Sequence, residues 1–307
     1  MTALHIETPL LLSHSLSRHS GRSVWLKFDS LQPSGSFKIR GVGHACQAAV
    51  RQGARRFISS SGGNAGIAAA YAGQMLSVPV VVVVPTSASE HARNLIREQG
   101  AEVVVHGESW QEANELALSM TTDTDILIHP FDNPQIWQGH ASMIDEIANT
   151  GNRPDAIVLS VGGGGLLCGV VEGLQRNDWG DVPIVAVETE GARSLDQAIH
   201  EGKPVELDAI DTVATSLGAR KVCDQAYENT ITHSIRNVVI SDKSAVNACN
   251  QFMVDHRVVV EPACGASLAV VYDNLSVIDD FERVLVVVCG GATVTVSQLQ
   301  TWQKNFE

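Results

Sequence analysis

Short β-branched runs alternate along the chain with longer segments whose apolar positions recur at helical spacing. The alternation predicts strands over 24–28, 57–60, 80–84, 102–106, 126–129, 156–161, 184–188, 238–241 and 284–289. It predicts helices over 37–52, 64–76, 89–99, 110–120, 132–150, 166–176, 242–256 and 293–303. Gly and Pro mark the boundaries at 77–79, 151–154 and 180–183. Strand–helix alternation of this kind implies an α/β fold of mostly parallel sheets with helices on both faces. No repeat, low-complexity tract or long linker interrupts it, so two doubly wound lobes are expected. Ligands of such sheets bind beyond the carboxyl ends of strands, at helix N-termini.

Composition narrows the function. At 307 residues, 44% apolar, 18% charged and 5% aromatic, the sequence has the profile of a globular protein with a large core. Its formal charge is −13 and it has no basic run, which argues against nucleic-acid binding through phosphate contacts. An anionic ligand would have to be held by backbone N–H groups. The six cysteines form no C-x-x-C pair and read as reduced, buried thiols of a cytoplasmic protein, which also excludes an iron–sulfur cluster. The three-leucine run near the start is too short for a signal peptide, and no apolar stretch is long enough to span a bilayer. The eleven histidines show no metal-ligand spacing.

Three loops lie where ligands are expected. In QPSGSFKIRG (32–41), Ser34 or Ser36 can cap the following helix, and Gly35 permits a sharp turn. Lys38 then falls in the first helical turn, where the positive end of the helix dipole disfavours a cation and promotes a nucleophilic neutral amine. Taken alone, it reads first as a solvated lysine in a capped helix, and only the other loops change that. The loop SSSGGNAG (59–66) offers hydroxyls, an amide and unencumbered N–H groups to a carboxylate or a polar ring, or is an ordinary capped turn. Four consecutive glycines at 162–165 exceed what a strand-to-helix connection needs. They form either a tight turn or a phosphate cradle that requires no basic residue. They match neither the dinucleotide fingerprint nor the P-loop. Cys289 is expected at the end of the last apolar strand, as a buried hydrophobe or a ligand contact.

With these residues assembled, the sequence resembles the fold-type II pyridoxal-phosphate enzymes, and within them the cytosolic L-serine dehydratases, along nearly its whole length. The segments carrying the resemblance are PSGSFKIRG (33–41), SGGNAG (61–66), SVGGGGLLCGVVEGLQ (160–175), GDVPIVAVET (180–189), VEPACGASLAVVY (260–272) and Cys289-Gly290-Gly291. The resemblance implies a large pyridoxal-phosphate-binding domain over 1–34 and 135–307 and a small one over 35–134. Lys38 would carry the coenzyme covalently and act as the catalytic base, with Phe37 against one face of the pyridine ring and Asn64 bonded to the ring hydroxyl. Gly162, Gly163, Gly164, Gly165 and Leu166 would hold the phosphate. Ser61, Gly62, Asn64 and Ala65 would receive the substrate carboxylate, and Cys289 would meet the pyridine nitrogen. A thiol cannot keep that nitrogen protonated as a carboxylate does, which favours prompt loss of a β-leaving group over transamination. A monovalent cation, potassium, would be bound by Gly162, Glu188, Ala192, Ser194, Leu217 and Ala219; Glu188 capping a loop is the structural alternative. The implied reaction converts L-serine to pyruvate and ammonia, and L-threonine to 2-oxobutanoate, in a cytoplasmic homodimer.

Four alternatives are weaker. A serine racemase needs a proton donor on the opposite face of Cα, and the racemases that resemble this family have serine where this chain has Gly62. A β-replacement enzyme needs a pocket for an incoming thiol. A Rossmann dehydrogenase is disfavoured by the failed glycine fingerprint, despite the acid at Glu188. A non-catalytic descendant would have lost the lysine or the phosphate loop.

Overall fold

The computed structural model describes residues 1–306. In chain order its first elements are β1 Leu10–Leu12, α1 His14–Ser20, β2 Ser23–Lys27, α2 Lys38–Arg51, β3 Arg56–Ser59 and α3 Asn64–Leu76. Next come β4 Val80–Val84, α4 Glu90–Glu98, β5 Glu102–Val105, α5 Trp110–Ser119, β6 Asp125–Leu127 and α6 Pro134–Asn149. There follow β7 Ala156–Ser160, α7 Gly165–Arg176, β8 Ile184–Thr189, α8 Ser194–Glu201, α9 Asp224–Thr232, β9 Ile235–Ile240, α10 Asp242–His256, α11 Pro262–Tyr272, β10 Arg283–Val287 and α12 Val296–Phe306. Two compact units are formed, one of Met1–Ile6 and Gln32–His140, the other of Glu7–Leu31 with the chain from Ala141 onward.

The first unit is built on a four-stranded sheet in the order β5-β4-β3-β6, with every pair parallel. All five valines of β4 are buried, as expected for a strand covered on both faces. Ile58 of β3 packs with Val81, Val83, Ala113 and Ala117, joining the sheet to α5. The order of strands reverses between β3 and β6, so the loops after these two strands open at the switch point, where ligands of such sheets bind.

The second unit carries a six-stranded sheet in the order β1-β2-β10-β7-β8-β9. β1–β2 is antiparallel and the remaining pairs are parallel. Its strand order reverses between β10 and β7, which places the loops after those strands at a second switch point. The buried Lys27 of β2 is held by Glu146 at 2.6 Å and by the Thr8 carbonyl at 2.7 Å, which supplies the partners that a buried ammonium requires.

The predicted elements are all present, most of them shifted by one to three residues at an end. Four helices and one strand were not foreseen. Helix α11 is buried from Pro262 to Val271, so it has no polar face to give it a helical period. α1, α8 and α9 are short, and β1 is a three-residue edge strand with exposed leucines. Neither Ser34 nor Ser36 caps α2: Phe37 occupies the N-cap position and no side-chain cap bond forms. The Gly35 N–H instead closes a turn to the Gln32 carbonyl at 2.7 Å, and Gly35 itself takes φ +75°, which redirects the chain that follows. Strand β10 ends at Val287, so Cys289 stands two residues beyond it.

Ile58→Ala is expected to destabilise the protein by roughly 2–5 kcal/mol, because the cavity it leaves is walled by β-sheet and α5 and cannot collapse. Urea unfolding followed by circular dichroism checks this; a loss below about 0.5 kcal/mol, the scale of surface substitutions, would contradict the packing described.

Candidate active site

In the first unit the site residues gather at the carboxyl edge of the parallel sheet. Lys38 is the first residue of α2, half-buried, with Nζ donating to the Pro130 carbonyl beyond β6 at 2.7 Å and lying 5.2 Å from the Phe37 ring centre. The turn presenting that carbonyl is tied by His129, whose Nδ1 accepts the Asp132 N–H at 2.7 Å. Burial keeps His129 below the usual histidine pKa, so the imidazole that accepts this bond stays uncharged.

The 61–66 loop follows β3 and runs into α3. A side chain at Gly66 would put a Cβ 1.9 Å from the Ser61 carbonyl, so only glycine lets the loop wind this tightly. Gly63 is the N-cap of α3 and Asn64 its first residue, buried at 6% exposure. Above Gly62 a Cβ would stand 3.1 Å from Cβ of Ala88 and 3.3 Å from Cγ1 of Val84.

In the second unit the four glycines follow β7. Gly164 is the N-cap of α7 with φ +90°, and a Cβ there would lie 2.4 Å from that of Ala226, so both backbone and space demand glycine. The Cys223 N–H donates to the Gly163 carbonyl at 3.0 Å, turning that carbonyl away into the fold. Cys289 follows β10, the other strand at the switch point. Its buried thiol is held well above the ordinary cysteine value by a hydrogen bond to Cys264 and by desolvation, so it stays protonated.

The starts of α2, α3 and α7 share a feature: none has a side-chain cap, and none has an acidic residue in its first turn. By contrast α4, α5 and α10 each have a serine cap and an acid there. A helix start leaves four N–H groups without intrahelical acceptors, and a positive dipole end. The uncapped starts are therefore suited to a phosphate and a carboxylate. Taken unit by unit, the second offers an uncapped helix start behind four glycines, which suits a phosphate, and the first an amine able to condense with an aldehyde beside an uncapped start that suits a carboxylate.

Glu188, at the end of β8, is fully buried and accepts the N–H groups of Leu195 and Asp196, both at 2.8 Å. It thereby caps α8, the structural role that the sequence left open. Burial pushes its carboxyl up to about 7, against the bonds that favour its ionised form. A Cβ on Gly162 would lie 3.0 Å from Cα of Leu217, so the glycine loop packs directly on the turn holding Leu217 and Ala219. Ala192 N–H closes a turn to the Thr189 carbonyl at 2.9 Å, and Ser194 opens α8. Among the described residues no group of three or more His, Cys, Asp or Glu side chains is placed to hold a metal, and no helix is long and apolar enough to cross a membrane.

Residues 1–290 match the model of the pyridoxal-phosphate dependent enzyme family, and the chain belongs to that family. It is 46% identical to the human L-serine dehydratase/L-threonine deaminase, over 99% of this chain and 96% of that protein. It is 43% identical to the L-serine dehydratase of Dictyostelium discoideum, over 96% and 91%. The fungal L-serine ammonia-lyase of Rhizomucor miehei superposes with a TM-score of 0.95 at 34% identity, covering all of both chains.

Because Glu188 has a folded-state pKa raised from 4.5 to about 7, its contribution to stability is present below pH 4.5 and is lost as the pH rises through 7. Glu188→Gln is expected to flatten the fall in unfolding midpoint across that interval. Thermal unfolding of both proteins in sodium- and potassium-free buffer measures it, and identical slopes would contradict the assignment.

Proposed function

We propose that this chain releases pyruvate and ammonia from L-serine, and 2-oxobutanoate and ammonia from L-threonine, as a pyridoxal-phosphate enzyme with Lys38 carrying the coenzyme. The observation that carries this reading is Lys38 itself, opening an uncapped helix at the switch point of a parallel sheet, in a chain so similar to serine and threonine dehydratases. When bound, the coenzyme supplies an electron sink for the electrons left at Cα after proton loss.

The protein's own groups do the rest. The N–H groups of Gly162, Gly163, Gly164, Gly165 and Leu166 would receive the phosphate, and Phe37 would pack on the ring. Asn64 would bond the ring hydroxyl, and Cys289 would meet the pyridine nitrogen as a neutral thiol. Ser61, Gly62, Asn64 and Ala65 take the substrate carboxylate, fixing the amino acid so that its α-proton faces Lys38. The Lys38 amine removes that proton as general base. Gly62 presents no hydroxyl to return a proton from the opposite face, so elimination outruns racemisation.

The reading extends to the larger assembly. A catalytic domain over 1–34 and 135–307 would bind the coenzyme, with a smaller domain over 35–134. The six buried thiols suit the reducing cytoplasm, and the dehydratase likeness supports a homodimer. Potassium would sit among oxygens of Gly162, Glu188, Ala192, Ser194, Leu217 and Ala219. A cation there would favour the ionised form of a carboxylate that burial otherwise makes expensive.

Pyruvate and 2-oxobutanoate release, measured with each substrate with and without potassium, tests the proposal. Both products are expected, faster with potassium, and Lys38→Ala should abolish them. D-serine accumulation with little pyruvate, or an active Lys38→Ala protein, would overturn it.

A further inference from the structure

His140 belongs to the first unit, on α6, and has no part in the chemistry above. It is completely buried, and neither ring nitrogen has a hydrogen-bond partner. Buried histidines ordinarily bond through at least one nitrogen, so this ring is not held by its polar atoms and calls for another explanation. Its surroundings supply one. The ring centre lies 4.9 Å from that of Phe37, tilted by 51°, within the range of favourable aromatic pairs. On another side the backbone of Gly41 closes on it so tightly that a Cβ there would stand 2.6 Å from its Cε1. The imidazole is thus wedged between the N-cap residue of α2 and the next turn of the same helix.

Lys38, Arg40 and His5 are the charged or titratable groups that act electrostatically on the ring. Burial, reinforced by these neighbours, holds it well below the usual histidine pKa, so it adds no charge beside Lys38. The contact leads onward, since Phe37 lies 5.2 Å beneath Nζ of Lys38.

We propose that His140 is a positioning residue: its ring, not its nitrogens, fixes the tilt of Phe37 and through it the seat of the coenzyme ring. This rests on the coenzyme reading of the site, and the test separates the two. His140→Phe keeps an aromatic ring and removes both nitrogens, whereas His140→Leu removes the ring plane. His140→Leu is expected to weaken pyridoxal phosphate binding about tenfold, the scale of a buried aromatic pair, and to alter the circular dichroism of the bound coenzyme. KM for serine should change little, because the 61–65 loop is untouched. His140→Phe should restore affinity to within about twofold of the parent protein, a difference smaller than an aromatic pair is worth.

A double-mutant cycle with Phe37→Leu gives the decisive comparison, because a residue acting through Phe37 should have no further effect once that ring is gone. Additive losses in the cycle, a His140→Phe protein as impaired as His140→Leu, or a shifted acid limb of kcat/KM in His140→Phe would overturn the proposal. The Phe37 ring orientation in coenzyme-free crystals of each variant supplies a readout independent of binding. It should rotate in His140→Leu and not in His140→Phe. If the parent protein takes up no coenzyme, the site reading falls while this comparison still decides the role of His140.

Discussion

An acidic chain of the pyridoxal-phosphate dependent enzyme family with no basic run would have to meet a doubly charged phosphate with backbone N–H groups, and the helix starts suit that requirement. N–H groups without acceptors gather where a helix begins, and they are available if no side chain has already capped them. The starts of α2, α3 and α7 are left without a serine or an acid, although the same sequence caps α4, α5 and α10 in the usual way. Leaving three helix ends uncapped forgoes stability at each of them. The parallel sheets make the arrangement possible for α3 and α7, whose starts directly follow β3 and β7 at their carboxyl edges.

Glycine provides the other half of the device. At Gly164 a positive φ and the closeness of Ala226 together exclude any side chain, and at Gly66 the Ser61 carbonyl does so alone. The loops are therefore shaped by the packing beneath them. Preorganisation of this kind is what lets neutral dipoles replace lysines and arginines.

The sequence revealed these loops because their signals are local: glycine runs, a cap position and the end of an apolar strand lie within a few residues of one another. Features set by distant packing were hidden. Helix α11 is apolar all round because it is enclosed, which erases the periodicity that would announce it. The supposed serine caps of α2 failed because Gly35 turns the chain so that Phe37 takes the cap position. Glu188 could be read as a cation ligand or a cap, and only the folded chain brings Leu195 and Asp196 onto its oxygens. His140 left no trace in the sequence, since its contact with Phe37 spans a hundred residues.

The central claim is that a single amine carries the coenzyme. Incubating the protein with pyridoxal phosphate, reducing with borohydride and mapping the modified peptide by mass spectrometry tests it most directly. One coenzyme per chain, fixed on Lys38 and prevented from attaching by excess inorganic phosphate, is the predicted result. Modification scattered over surface lysines, with Lys38 unmodified, would contradict the account.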